Sequence, residues 1–303
     1  CVFLTQLLYF IKLLATEDHI IDVVQSELTP HVLVSTMIPG CIEKGKDITA
    51  GGAIYHTTTP FGAGLATATD SLAAIKKAVF EDKSVSMDEL LHALDTDFEG
   101  MEGEKIRQKL LATPKFGNDD DYVDEFARFL TDTFMKEVET YESGRGGHLV
   151  GGFFTLSSTV PLGHETPATP NGRKARTPIS DSVSPTNGVE ENGPTAVLNS
   201  AAKIDHSRCA AGNAVNIKFS PGALESAGKL EKFANLITAY LIDMHGFEVQ
   251  INVVSADTLR AAQKNPVEYR DLIIRIAGYS ARFVELAPDI QEDLITRTEH
   301  QMV

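Results

Sequence analysis

Leu272-Ile273-Ile274-Arg275-Ile276-Ala277-Gly278-Tyr279-Ser280-Ala281-Arg282-Phe283-Val284 is an apolar run, broken once by a charge, that leads into a lone glycine followed by Tyr-Ser-Ala. Residues 272–276 have the length and the Leu/Ile content of a short buried strand, with Arg275 interrupting it. Taken by itself, Gly278 reads as a strand-ending turn that needs positive φ or close packing. A charge inside such a strand is costly unless paired, so Arg275 is expected to meet a carboxylate or carbonyls of its surroundings. The alternative is an edge strand from which Arg275 points to solvent.

The rest of the chain is that of a globular protein of 303 residues, enough for one large domain or two ordinary ones. Its net charge of -15 excludes non-specific nucleic-acid binding, which needs a basic surface. No run is long and apolar enough to span a bilayer. Residues 2–14 are apolar but lack the basic leader and small-residue cleavage site of a signal peptide. The 3 cysteines have no regular spacing and do not make a disulfide framework, so a reducing cytoplasm is expected. The chain begins with Cys1 inside a helical pattern, and a fragment of a longer protein is expected.

Residues 2–28 carry Phe3, Leu7, Leu8, Phe10, Ile11, Leu14, Ile20, Ile21, Val24 and Leu28 at helical spacing, which predicts one or two helices ending before Pro30. Residues 70–80 predict a helix capped by Asp70 or Ser71. In the helix predicted at 86–95, Ser86 and Glu89 have the spacing of a capping box. Further helices are expected at 102–111, 120–141, 224–243 and 256–264, and strands at 153–160 and 249–254. Helices alternating with short buried strands point to α/β packing.

Several patterns that would signal other chemistry fail on their surroundings. Gly40-Cys41-Ile42-Glu43-Lys44-Gly45-Lys46-Asp47 nearly fits a phosphate loop, but Asp47 replaces the metal-binding hydroxyl and no long helix can follow. Asp119-Asp120-Asp121 lacks the ligand ladder of a calcium loop and reads as an acidic helix start. The glycine-rich stretch 144–152 precedes a strand rather than a helix, unlike a dinucleotide fingerprint. Asp205-His206-Ser207 suggests a hydrolytic triad, yet the chain has no nucleophile elbow.

The opening stretch closely resembles the R-V-A-G-Y-S-A signature near the C-terminus of glycyl radical enzymes, here Arg275-Ile276-Ala277-Gly278-Tyr279-Ser280-Ala281. The tail from Leu286 to Glu299 is also similar to theirs. Asp70-Ser71-Leu72-Ala73-Ala74-Ile75-Lys76-Lys77, Ala168-Thr169-Pro170-Asn171-Gly172-Arg173, Gly193-Pro194-Thr195-Ala196-Val197-Leu198, Lys203-Ile204-Asp205-His206 and Asn216-Ile217-Lys218-Phe219 match family segments in family order. Gly40-Cys41-Ile42-Glu43 fits the G-C-x-E pattern around the family's thiyl cysteine. Its flanks resemble instead a segment of the form D-C-I-E-x-G-K-D-x-T-x-G-G-A-x-Y, with His56 where the family commonly has Asn. Cys41 is therefore expected to be a structural thiol, with the thiyl cysteine upstream of Cys1; Cys41 as the radical cysteine is the minor reading.

The resemblance implies a fold and a chemistry. The fold is a ten-stranded α/β barrel of two half-barrels, of which this chain carries the second half. Residues 1–150 would form a mostly helical part and 151–303 the barrel strands and the glycine radical domain, as one continuous unit. Gly278 would hold the radical, with Arg275, Tyr279 and Ser280 supporting its loop. No cofactor is bound; an activase with an iron–sulfur cluster and S-adenosylmethionine makes the radical. The radical then draws a hydrogen atom from the cysteine, and the thiyl attacks a small-molecule substrate. The full-length enzyme is expected to be a cytoplasmic homodimer. Glycine suits the role because a radical delocalised over the adjacent amides needs a nearly planar α-carbon that no β-carbon crowds. It also needs shelter from water and oxygen.

Three readings follow: part of a glycyl radical lyase, a stand-alone radical-bearing module that docks on a damaged partner enzyme, and a non-catalytic interaction protein. Ala277 and Ser280-Ala281 resemble the dehydratase, decarboxylase and C–N or C–S lyase branch, with diol dehydration favoured. Pyruvate formate-lyase proper, with S-G-Y-A-V at this place, ranks lower.

Overall fold

The computed structural model describes residues 2–301. The chain divides into two compact units, one of Cys1–Gly62, Thr131–Gly152 and Ser207–Gly212, the other of Ala63–Leu130, Phe153–His206 and Asn213–Val303.

In the first unit Val2–Leu28 is a single helix that buries Ile11, Ala15 and Asp22. A carboxylate as deeply buried as Asp22 needs partners. It receives Arg145 Nε at 2.7 Å and the Thr58 hydroxyl, while Arg145 Nη2 reaches Gln25 Oε1 at 2.9 Å. The near-phosphate loop closes into the four-residue helix Cys41–Lys44, entered through Gly40 at φ 97°. The buried Cys41 opens that helix, and Glu43 accepts the Gly40 N–H at 2.9 Å.

The second unit joins a helical part to a small sheet. Ser86 caps the helix Met87–Asp95 with a full capping box, as its spacing predicts. Asp70 and Ser71, in contrast, cap nothing. The helix starts earlier, at Leu65 behind Gly64, continues through Ala74 and then widens into a π-helical stretch, Ile75–Glu81. Asp70 thus lies fully buried, and its carboxylate accepts the distant Phe116 N–H at 2.8 Å. Burial pushes the Asp70 carboxyl up to about 7, against the pull of that N–H and of Lys115. Asp119, Asp121 and Asp124 behave as an acidic helix start and converge on Lys203 Nζ at 2.8, 2.7 and 2.7 Å.

The strands are β1 (Val215–Phe219), β2 (Val249–Val253), β3 (Ile273–Arg275), β4 (Ser280–Arg282) and β5 (Glu299–His300). The first sheet is parallel, in the order β2-β1-β5, with Val215 opposite Val249 and Phe219 opposite both Val253 and His300. Parallel neighbours need covering crossovers, and the helix Ala227–Thr238 lies in the connection from β1 to β2. Lys218 on the central strand is buried, and its ammonium donates to Ile295 O at 2.9 Å at the end of the helix Pro288–Thr296. That helix end is where a cation is favoured. An α/β fold is what alternating helices and short strands predict.

Residues 153–160 are not a strand. Only Phe153 makes a bridge, to Asn213; Leu156 takes φ 54°, and the helix Thr159–Glu165 follows. Of the Thr and Ser side chains that gave the alternation, Thr155 bonds to a loop instead, at Asp181.

Candidate functional site

Strands β3 and β4 form an antiparallel hairpin with Ile273 opposite Arg282 and Arg275 opposite Ser280. The four residues between them make a tight loop, closed by the Ile276 N–H donating to Tyr279 O at 2.9 Å. Ile274, Ile276 and Phe283 anchor the hairpin in an apolar cluster with Leu259, Leu294 and Ile295. The loop's second residue, Ala277, is fully buried; Gly278 is half-buried, and Tyr279 and Ser280 are exposed.

Gly278 adopts φ 77°, where L side chains are strained. A β-carbon built there would press on the ring of Phe154, 2.6 Å from Cε1, and stand 3.0 Å from Leu156 Cδ2. Both the dihedral and the space therefore require glycine.

The backbone around Gly278 is held by two side-chain amides. Gln250 Oε1 accepts the Gly278 N–H at 2.7 Å and Arg275 Nε at 3.1 Å. Its Nε2 donates to Glu248 at 2.7 Å, so the whole amide is engaged. Asn252 clasps Arg275 on both sides, accepting its N–H at 2.9 Å and donating to its carbonyl at 2.6 Å. On the far side Arg297 Nη1 donates to Ile276 O at 2.9 Å.

Arg275 is half-buried and, of the two kinds of partner expected for it, meets a carbonyl: Nε donates to the Gln250 amide oxygen at 3.1 Å. A neutral acceptor suffices because the guanidinium keeps part of its surface in water. The structure thus brings Arg275 to Gly278 through a shared acceptor. Tyr279 contributes its backbone carbonyl to the loop, and Ser280 its place opposite Arg275. Cys41 belongs to the other compact unit.

Gln250, Asn252 and Arg297 were not legible as site residues. The signal for the first two was present: in Val249-Gln250-Ile251-Asn252-Val253 two amides share one face of a strand. Gln250 is 5% exposed while Val253 is 45% exposed, the reverse of the hydrophobic expectation. Inward-facing amides of this kind mark a backbone segment that needs partners.

Residues 2–163 match the family described as Pyruvate formate lyase-like, and residues 179–284 match the one described as Glycine radical. The chain belongs to the glycyl radical, pyruvate formate lyase-like family. Among curated family members it is 40% identical to the trans-4-hydroxy-L-proline dehydratase of Clostridioides difficile, over 98% of this chain and 37% of that protein. It is 45% identical to the isethionate sulfite-lyase of Bilophila wadsworthia, over 79% and 29%. Among solved structures of glycyl radical relatives, the glycerol-bound B12-independent glycerol dehydratase from Clostridium butyricum superposes with a TM-score of 0.94 at 43% identity, over 98% of this chain and 37% of that one. The chain spans well under half the length of these relatives.

Proposed function

We propose that this chain is the C-terminal, radical-storing part of an enzyme that cleaves C–O, C–N, C–S or C–C bonds of a small molecule by anaerobic radical chemistry, with diol dehydration favoured. The observation that carries the reading is Gly278: a glycine required by dihedral and by space, half-buried, its N–H pinned by Gln250. Loss of one hydrogen atom from its α-carbon leaves a radical flanked by two amides, and the Phe154 and Leu156 side chains stand over the position where water or oxygen would approach. Arg275, Tyr279 and Ser280 support the loop. The hydrogen atom would be removed by an activase that uses an iron–sulfur cluster and S-adenosylmethionine, with no cofactor resident in this chain.

In the same reading the parallel strands β2-β1-β5 belong to the second half of a ten-stranded barrel. Residues 1–150 supply its mostly helical part, and 151–303 its strands and the glycine radical domain. The full-length enzyme would be a cytoplasmic homodimer, with its thiyl cysteine upstream of Cys1 and Cys41 structural. Diol dehydration is favoured by Ala277 in the loop and Ser280-Ala281 just after it, and by the dehydratases among the relatives.

The test is anaerobic activation of the full-length enzyme with its activase, followed by air. A radical signal in electron paramagnetic resonance, then a break at Gly278 that frees a short C-terminal peptide, is the expected result. A radical-bearing sample whose chain stays intact in air overturns the assignment. Supplied glycerol should lose water to give an aldehyde; release of sulfite from isethionate instead would move the enzyme to the C–S lyases. Cys41→Ser should keep substantial turnover, and its complete loss with the radical intact would make Cys41 the thiyl site.

A further inference from the structure

Two structures meet at Gly278: the loop that carries it and the segment that covers it. The loop is tied through Arg297, whose Nη1 donates to Ile276 O at 2.9 Å. The cover is the segment around Thr155, since Phe154 and Leu156 are the side chains nearest to the missing β position of Gly278. Both ties end on one carboxylate. Asp181 accepts the Thr155 hydroxyl and the Ser182 hydroxyl on Oδ1, the latter at 2.9 Å, and Asn216 Nδ2 on Oδ2 at 2.6 Å. The same Oδ2 lies 3.5 Å from Arg297 Nη2, which is also 3.4 Å from Asp293 Oδ2. Asp181 and Arg297 are 6% and 8% exposed, so this meeting takes place away from water, where each contact is stronger and each loss more costly.

We infer that Asp181 is a positioning residue that couples the cover of Gly278 to its loop through Arg297. This deepens the reading of Gly278 as the radical site. A purely charge-balancing network would need only Arg297 between the two acids; it would not need the Thr155 hydroxyl on Asp181, a contact that neutralises nothing. With the coupling in place, Phe154 and Leu156 keep their station over the α-carbon only while the loop is seated. Releasing one frees the other, which suits a glycine that must be sheltered in one state and reachable in another.

The experiment uses the full-length enzyme with Thr155→Val, which keeps the shape of the residue and removes the hydroxyl, and Asp181→Asn, which keeps the size and removes the charge. Arg260→Gln, in an exposed pair with Glu292, is the surface control. Hydrogen exchange of the amides of residues 276–280, measured without activase, should rise about tenfold in each of the first two, as expected for loss of a buried hydrogen bond, with the rest of the chain and the control unchanged. The double variant should exchange no faster than the faster single one. After anaerobic activation, the radical of Thr155→Val should decay faster than that of the wild type. Unchanged exchange at 276–280 in Thr155→Val, or a rise spread evenly over the chain, overturns the coupling even if Asp181→Asn does not fold. If the wild type accepts no radical, the functional reading fails, while the exchange data still decide the coupling.

Discussion

Gly278 and its partners set the terms at the residue scale. Replacement by alanine puts a methyl group against the Phe154 ring and holds an L residue at φ 77°, at a cost of about 1–3 kcal/mol that a large enzyme survives. Gly278→Ala should therefore fold, yet show no radical after activation; a radical signal of wild-type size would remove Gly278 from its role. Gln250 is the more telling neighbour. Gln250→Met deprives both Gly278 N–H and Arg275 Nε of their acceptor, whereas Arg275→Ala leaves the Gly278 N–H bonded. Exchange of the Gly278 amide should rise by roughly tenfold or more in Gln250→Met and clearly less in Arg275→Ala. Equal effects would make Arg275 the holder of the loop. The sequence marks Gly278 and Arg275 through a local pattern, but it gives no sign that a glutamine 28 residues upstream is their common acceptor.

At the scale of elements, local chemistry was a good guide where the partner lies within a few residues. The Ser86/Glu89 box caps Met87–Asp95 as its spacing requires, with the Ser86 N–H and the Glu89 carboxylate 2.7 Å apart. Ser86→Ala should cost about 1 kcal/mol, read as a lowered denaturation midpoint with unchanged radical yield. A midpoint equal to wild type would mean that packing alone starts this helix. Asp70 shows the limit of such reasoning. It has the residue type of a cap, but Leu65–Ala74 begins a turn and a half earlier, because Gly64 at φ 73° supplies the entry and small residues allow close packing. Residues 153–160 fail for a related reason: alternating Thr and Ser suit a strand, and they equally suit side-chain bonds to loops. Thr155 takes the second course.

For the molecule as a whole, burying Asp70 has a measurable consequence. Its carboxyl is raised to about 7 by burial, opposed by the Phe116 N–H and Lys115, with Glu190 adding to the rise. Lys115 is lowered to about 8 by burial and remains charged through the range considered. A carboxyl with a raised folded value binds its proton more tightly in the native state than in the unfolded chain. Between about pH 4 and pH 7 that contribution to stability falls as pH rises, by up to about 4 kcal/mol for an isolated site. Asp70→Asn keeps an acceptor for Phe116 and removes the titration. The variant should gain stability on the wild type as pH goes from 5 to 7.5, followed by thermal midpoints; parallel pH profiles would show that Asp70 is ionised throughout. Such a buried acid is invisible in a composition whose net charge of -15 suggests only a solvated acidic surface.

What the sequence by itself determined are features whose causes are local: the helical pattern over Val2–Leu28, the capping box at Ser86, the alternation of helices and short strands, and the short strand that ends in a turn at Gly278. The family signature around Gly278 is of the same kind, since the constraint on a glycine flanked by Ala277 and Tyr279 is written within seven residues. Only the tertiary structure decided what holds that glycine. Gln250 bonds it from another strand, Asn252 bonds Arg275 and Arg297 bonds Ile276 beside it, and Asp181, about a hundred residues upstream, lies against Arg297 and accepts the Thr155 hydroxyl. Each is a polar side chain that could equally have faced water. Its role follows from which segments the chain folds against one another, because a buried carbonyl or N–H takes whichever partner the packing brings within hydrogen-bond reach.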